Sequence, residues 1–246
     1  TFPHEPLPFA LGAPAYPGLE TLQTLAEGGD VEHLLAGFGA MPEDGESIAE
    51  FIEASQDYQA HFLKYALEAC RSDSAVAGGY FQHMFVDALP GVSTAVVDYR
   101  RVRKAGYRAL AVASQRILPL VRLPAEWLSA VPAEQRLLLD LVLVNDSPRR
   151  LMGWVLKITL TGYLPREASP DGETFLHHWN DTLRGIEAEP YERISLGTIT
   201  APGLPRIATE YNLTLQLFNL PNETQRIIVN TYTLRLVRQD QSAPHL

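Results

Sequence analysis

A single cysteine, Cys70, stands in a chain of 246 residues. That scarcity excludes an intrachain disulfide and a cysteine-based zinc cluster, and it leaves the compartment open. No apolar run reaches the roughly 20 residues that a membrane-spanning helix needs. The opening Thr1-Phe2-Pro3-His4-Glu5-Pro6 has neither the basic region nor the apolar core of a signal peptide. Thr1 in place of Met gives the expectation of a processed or excised segment, the end of a larger protein. Positive charge is scarce too: 20 Lys and Arg face 29 Asp and Glu, so the overall field offers nothing to nucleic acid or to an anionic membrane. Gly28-Gly29 and Gly78-Gly79 lack the strand-to-helix setting of a phosphate loop, and neither an internal repeat nor a low-complexity tract is found.

What is present is 46% hydrophobic residues, enough for one large core or two ordinary ones. The apolar period changes along the chain. Prolines at 3, 6, 8, 14 and 17 predict an extended segment with turns, followed by short helices over Leu19 to Glu27 and Val31 to Phe38. From Glu46 to Arg71, Ile48, Phe51, Ile52, Ser55, Gln59, Phe62, Leu63, Ala66, Leu67 and Cys70 recur at steps of three and four, the stripe of a long amphipathic helix. Ser72-Asp73-Ser74 breaks it, and the apolar run Val76 to Val86 predicts a buried strand of a parallel sheet. A long helix feeding such a strand is a barrel-type unit. A short strand over Ala95 to Tyr99 and a helix over Val102 to Gln115 complete the first half.

Leu123 to Glu134, with prolines at 119, 124 and 132 in or near it, predicts a linker. Alternation then takes over: Leu137 to Val144 ends at the turn Asn145-Asp146-Ser147-Pro148, and Trp154, Leu156, Ile158 and Leu160 alternate with Val155, Lys157, Thr159 and Thr161. Ile194 to Ile199, Tyr211 to Phe218 and Arg226 to Val237 behave alike, so six or seven short strands predict an antiparallel sandwich.

Three ordered stretches carry a family resemblance. Phe9-Ala10-Leu11-Gly12-Ala13-Pro14-Ala15-Tyr16-Pro17-Gly18-Leu19-Glu20-Thr21-Leu22 is similar to a pattern Ser-Glu-Phe-Gly, a few residues, Pro-Ser, one residue, Glu-Thr-Leu. Gly79 to Ser93, through Val97-Asp98-Tyr99, resembles Phe-Trp-Gln-Leu-Asn-Asp-Cys-Trp-Pro followed by Ile-Asp-Tyr, and Lys104 with Gly106-Tyr107-Arg108-Ala109-Leu110 resembles Lys-Pro, one residue, Tyr-Tyr-Ala-Leu. Val142 to Ser147 with Leu151-Met152-Gly153-Trp154 resembles the first hairpin of a C-terminal sandwich. These are patterns of the β-mannosidase and β-galactosidase branch of family-two glycoside hydrolases, and the resemblance covers nearly the whole chain.

The resemblance implies an α+β chain. Residues 1–122 would be a mostly helical remnant of a (β/α) barrel, and residues 123–246 an immunoglobulin-like antiparallel β-sandwich. It also implies lost chemistry. Retaining glycosidases use two carboxyl groups about 5 to 5.5 Å apart, one as nucleophile and one as acid/base. The family's nucleophile position is Ala10, and the acid/base strand would precede Thr1. Sugar-contacting tryptophans of the family fall at His83 and Leu89, its Gln at Met84 and its Asn at Val86, while Asp87 and Asp98 are retained. Glu5 and Glu20 are the nearby acidic substitutes, and Glu20 reads as first-turn helix charge.

Asp87, His83, Asp98 and Trp179 are therefore the candidate substrate-binding residues, with no catalytic residue, no metal and no cofactor expected. In His177-His178-Trp179-Asn180-Asp181, adjacent histidines on a strand face opposite ways and cannot share a metal without a bulge, so Trp179 is either a saccharide rim contact or sandwich packing. Asp140 predicts a solvent-facing position on its strand, and Cys70 a small buried thiol. The Asn-x-Ser/Thr triplets at Asn145, Asn180, Asn212 and Asn222 decide nothing. Two functions follow: the C-terminal, non-catalytic part of a glycoside-hydrolase-like protein, or a carbohydrate-binding or protein-interaction module. The partners expected are a carbohydrate and either upstream barrel residues or a second copy of the chain, with neither nucleic acid nor membrane.

Overall fold

Helical and strand periods fall into two separate units, Thr1–Ser114 and Gln115–Leu246, in a computed structural model. The structure describes residues 9–26, 30–37, 42, 45–73, 79–128, 130–164, 175–208, 210–219 and 227–236. The first unit holds β1 (Phe9–Leu11), α1 (Leu19–Leu25), α2 (Val31–Gly37), α3 (Ile48–Ser72), β2 (Tyr80–Gln82) and α4 (Ala105–Ala113). Among the described residues no helix is long and apolar enough to cross a membrane.

The long helix α3 starts where its sequence provides a capping box. Ser47 Oγ accepts the Glu50 N–H at 3.3 Å, and the Glu50 carboxylate accepts the Ser47 N–H at 2.9 Å. Its apolar stripe places Leu63 and Leu67 against Leu11, Val96 and Leu110. The polar residues within that stripe have main-chain partners. Ser55 Oγ accepts the Tyr16 N–H at 3.2 Å, and the buried Gln59 amide donates to the carbonyls of Ala13 (2.7 Å) and Ala95 (3.2 Å). One helix face thereby grips both β1's continuation and the loop after β2. α4 packs on α3 where Gly106 has no side chain, since a Cβ there would lie 2.5 Å from Gln59 Oε1.

The parallel strand expected over residues 76 to 86 is shorter and more open than its apolar composition suggested. β2 pairs in parallel with β1 as Phe9↔Tyr80, Ala10↔Phe81 and Leu11↔Gln82, but Phe81 is 66% exposed; residues 76–78 lie outside the described set. Residues 95–99 form no strand. Ala95 and Val96 are buried, and Val97 makes single bridges to Val86 and Arg103.

The second unit is all β: β3 (Ile117–Arg122), β4 (Leu137–Asn145), β5 (Leu151–Tyr163), β6 (Phe175–Ala188), β7 (Glu192–Ala201), β8 (Glu210–Asn219) and β9 (Ile228–Arg235). Two antiparallel sheets, ordered β3-β4-β7 and β6-β5-β8-β9, enclose one core. Alternation supplies it: Leu137, Leu139 and Leu141 of β4 meet Leu156, Ile158 and Leu160 of β5 and Tyr211, Leu213, Leu215 and Leu217 of β8. The buried Asn145 fixes the turn after β4, donating to the carbonyls of Arg149 (2.8 Å) and Glu189 (2.7 Å).

Residues 117–122, which the proline count set before the linker, pair with β4 from Ile117↔Asn145 to Arg122↔Asp140. Pro119 is tolerated because β3 is an edge strand. Its carbonyl accepts Asn230 Nδ2 at 2.9 Å, and the Val121 N–H reaches the Tyr232 hydroxyl at 3.0 Å, so side chains of β9 join the two sheets. The expected linker is itself packed: Ala125–Leu128 form a 3-10 turn, Val131 is fully buried, and its N–H bonds the Arg235 carbonyl at 2.7 Å.

Tyr211, fully buried, donates its hydroxyl to the Pro205 carbonyl at 2.6 Å, resembling the tyrosine corner of immunoglobulin-like sandwiches. Its ring lies over Gly162, where a Cβ would come within 2.7 Å of it. Gly162→Ala is expected to cost about 1–3 kcal/mol through overpacking, and Tyr211→Phe about 1–3 kcal/mol through the orphaned carbonyl. Urea titration followed by tryptophan fluorescence checks both, because Trp127, Trp154 and Trp179 all lie in this unit. An unchanged midpoint for Gly162→Ala would show that the ring is free to move aside.

Candidate functional site

In the first unit, period-two alternation sorts the residues around β1 and β2 onto two faces. Leu11, Ala13 and Ala15 are buried on the α3 side, whereas Ala10, Gly12 and Pro14 are exposed. Along β2 and its continuation Phe81, His83 and Phe85 are exposed, and the residues between them are half-buried. Ala10 and Phe81 are register partners, so they share the open face. The position that the resemblance equates with a nucleophile thus presents a methyl group beside a phenyl ring. None of the six residues named on this face is a carboxylate.

His83 is held by its main chain, whose N–H bonds the Leu11 carbonyl at 2.9 Å. The Gln82 amide spans the loop below it, donating to the carbonyls of Met84 (3.1 Å) and Thr94 (3.0 Å). Leu89 is 78% exposed and Phe85 53% exposed, and the Phe85 ring leans on Tyr107 with centroids 5.9 Å apart. Arg103 lies over the same Tyr107 ring at 4.6 Å.

Asp87 and Asp98 point the other way. Both are buried, at 1% and 0% exposure, and they flank Lys104, itself 2% exposed. Asp87 Oδ2 lies 3.4 Å from Lys104 Nζ, and Asp87 Oδ1 accepts the Ser93 hydroxyl. Asp98 accepts the Thr21 hydroxyl at 2.7 Å and the Val102 N–H at 2.9 Å. Lys104 also donates to the Ala15 carbonyl at 3.1 Å. Burial pushes the Lys104 ammonium below its ordinary 10.5, and Asp87, then Asp98, partly restores it. Carboxylates placed this way tie four chain segments together and offer no oxygen to a sugar on the open face.

Trp179 belongs to the second unit. It sits half-buried on β6, paired in register with Leu160 and packed against the sandwich core. The register slips between Leu160 and Thr161, so His178 occupies a bulge. The two histidines nevertheless diverge: His177 Nε2 lies 2.9 Å from Asn180 Nδ2, and His178 Nε2 lies 3.0 Å from the Gly203 carbonyl. Among the described residues no group of three or more His, Cys, Asp or Glu side chains could hold a metal. Glu20 is a first-turn residue of α1 near Arg100 at 3.8 Å, and Glu5 lies outside the described residues. Asp140 is a surface partner of Arg122 at 3.2 Å. Burial raises the Cys70 thiol's pKa, which keeps it protonated.

Sequence reasoning gave no sign of a cleft of about 430 Å³ between α3 and the start of α4, where Glu53 and Asp57 face Arg103 and Arg108. Its charges come from residues that look, in sequence, like ordinary solvated helix positions.

No protein-family model matches the chain, and no curated protein is similar enough in sequence to register. Solved structures do match. Over 93% of this chain, at 19% identity and TM-score 0.61, it is similar to a β-D-mannosidase from Dictyoglomus thermophilum. Over 92% of it, at 11% identity and TM-score 0.61, it is similar to the exo-chitosanase CsxA of Amycolatopsis orientalis, as its E541A variant in complex with p-nitrophenyl β-D-glucosamine. The chain spans 27% of the length of each of these proteins and has the fold of the part it covers.

Lys104→Met is expected to destabilise the first unit by about 3–5 kcal/mol, because it strands buried carboxylates. Asp87→Leu added to it recovers much of that loss, a coupling that a double-mutant cycle on the helical circular dichroism reads directly. pH gives a second check. Between its depressed folded value and 10.5, Lys104 binds fewer protons in the folded than in the unfolded chain, so this group adds stability as pH rises through that window. The alkaline gain should shrink in Lys104→Met, and an equal gain in both proteins would remove Lys104 as its source.

Proposed function

We propose that this chain is the C-terminal portion of a glycoside-hydrolase-like protein, in which the first unit descends from the end of a (β/α) barrel and the second is its C-terminal sandwich. By itself it hydrolyses no glycosidic bond. The observation that carries the reading is Ala10. It stands at the resemblance's nucleophile position, on the open face of the β1–β2 pair, with Phe81 as its neighbour in register. A retaining mechanism needs two carboxylates about 5 to 5.5 Å apart, and this face carries none at the positions named. An alanine methyl can neither attack an anomeric carbon nor move a proton.

The fold likeness to a β-D-mannosidase and an exo-chitosanase supports the glycosidase origin, and sugars of the β-mannoside or β-glucosaminide kind are the ones to test first. The second reading is a non-catalytic carbohydrate-binding or protein-interaction module. The apolar character of Phe81 and Phe85 favours its protein-interaction form, because saccharide sites need polar groups at the rim to fix hydroxyls.

Incubation with p-nitrophenyl β-D-mannoside, β-D-galactoside and β-D-glucosaminide should release nitrophenol no faster than buffer does. Ala10→Glu should remain equally silent, because one carboxylate lacks its acid/base partner. Saturable turnover by the unaltered chain would overturn this reading. Calorimetric binding of one of these sugars without turnover would transfer support to the module.

A further inference from the structure

We propose that the cleft between α3 and the start of α4 binds a small zwitterion whose ammonium and carboxylate stand at opposite ends, as in a dipeptide or an ω-amino acid. The cleft holds about 430 Å³, within the range of small-molecule sites. Its charges come from two elements. Glu53 and Asp57 lie one turn apart on the same face of α3, and Arg103 and Arg108 stand opposite, beside the start of α4. Leu19 and the buried Ile52 add apolar lining.

Four arginines fall within residues 100–108 of a chain whose net charge is -9, and the fold uses them differently. Arg100 donates to the Glu20 carbonyl (3.4 Å) and the Thr24 hydroxyl (3.3 Å), and Arg101 donates to the carbonyls of Asp87 (3.2 Å) and Tyr99 (3.3 Å). The Arg103 guanidinium lies over the Tyr107 ring at 4.6 Å, which positions it without occupying its N–H groups. Among the described residues Arg103, Arg108 and Glu53 form no ion pair, although all three line one cleft. Opposite charges that face each other without touching leave a gap for a ligand to span. The charges of Glu53 and Asp57 balance those of Arg103 and Arg108, so a simple anion or cation gains at one side what it loses at the other. A molecule carrying both signs gains at both. Sides that do not touch call for charges at the two ends of the ligand rather than on one carbon. None of these residues belongs to the Ala10 face on which the glycosidase reading rests.

Titration of the isotope-labelled 246-residue chain with leucyl-alanine and with 6-aminohexanoate, followed by amide chemical shifts, tests the site. At least one compound should shift the amides of residues 49–57 and 103–108 saturably, with a dissociation constant on the order of 1 mM. Saturation by the dipeptide alone assigns a peptide ligand, and saturation by 6-aminohexanoate alone an ω-amino acid. Glu53→Gln and Arg108→Gln should each weaken binding about tenfold. Both side chains are exposed, so both variants should keep the helical circular dichroism of the parent. Acetylating the amine of the bound compound, or amidating its carboxylate, should weaken binding to the unaltered chain by a similar factor, which tests the same contacts without a substitution. No saturable shift with either compound overturns the proposal. Inorganic phosphate or the acetylated compound binding as tightly as the free one also overturns it, by making the cleft an anion site. Binding that survives both substitutions does the same by placing the ligand elsewhere.

Discussion

The Lys104 ammonium lies where water does not reach it, and the geometry of the first unit depends on that placement. A buried cation at the start of α4 requires anions, and it obtains Asp87 from the loop after β2, with Asp98 from the next bend close by. Its third contact, the Ala15 carbonyl, comes from β1's continuation. Asp98 in turn holds Thr21 of α1. Five segments thereby meet at one charge cluster, and the segments without regular structure between β2 and α4 acquire a fixed course. Buried ion pairs cost desolvation and contribute little net stability, so what this cluster supplies is the path of the chain.

That path fixes the framework of the first unit independently of the residues on its outward face. Asp87 and Asp98 are committed to the Lys104 cluster, whereas the outward-facing Ala10 carries no carboxylate. On β1 itself Leu11 packs toward α3 while Ala10 faces outward. Substitution on one face leaves the other intact, because successive residues of a strand point in opposite directions.

Much of the fold was legible in the sequence where the period was long. The α3 stripe, the β4 and β5 alternation and the Asn145 turn are all local signals, and each names its own structure. The failures were cases in which a distant group supplies what the local pattern lacks. Pro119 read as a breaker because its missing donor was counted without the edge position that makes the loss harmless, and without Asn230, 111 residues away, which bonds its carbonyl. The packing of the expected linker was hidden because Val131 bonds Arg235, a partner distant in sequence. In the site, sequence located Asp87, Asp98 and Lys104 but not their inward direction. Which face a side chain takes depends on where α3 packs, and that was not local information.

The β3 edge has a further consequence. Pro119 offers no N–H, its carbonyl is engaged by Asn230, and the Val121 N–H is engaged by Tyr232. Such an edge cannot template an incoming strand, so along it the sandwich is protected from amyloid-type stacking however concentrated the protein becomes. Polymerisation at that margin is blocked by three side chains rather than by charge.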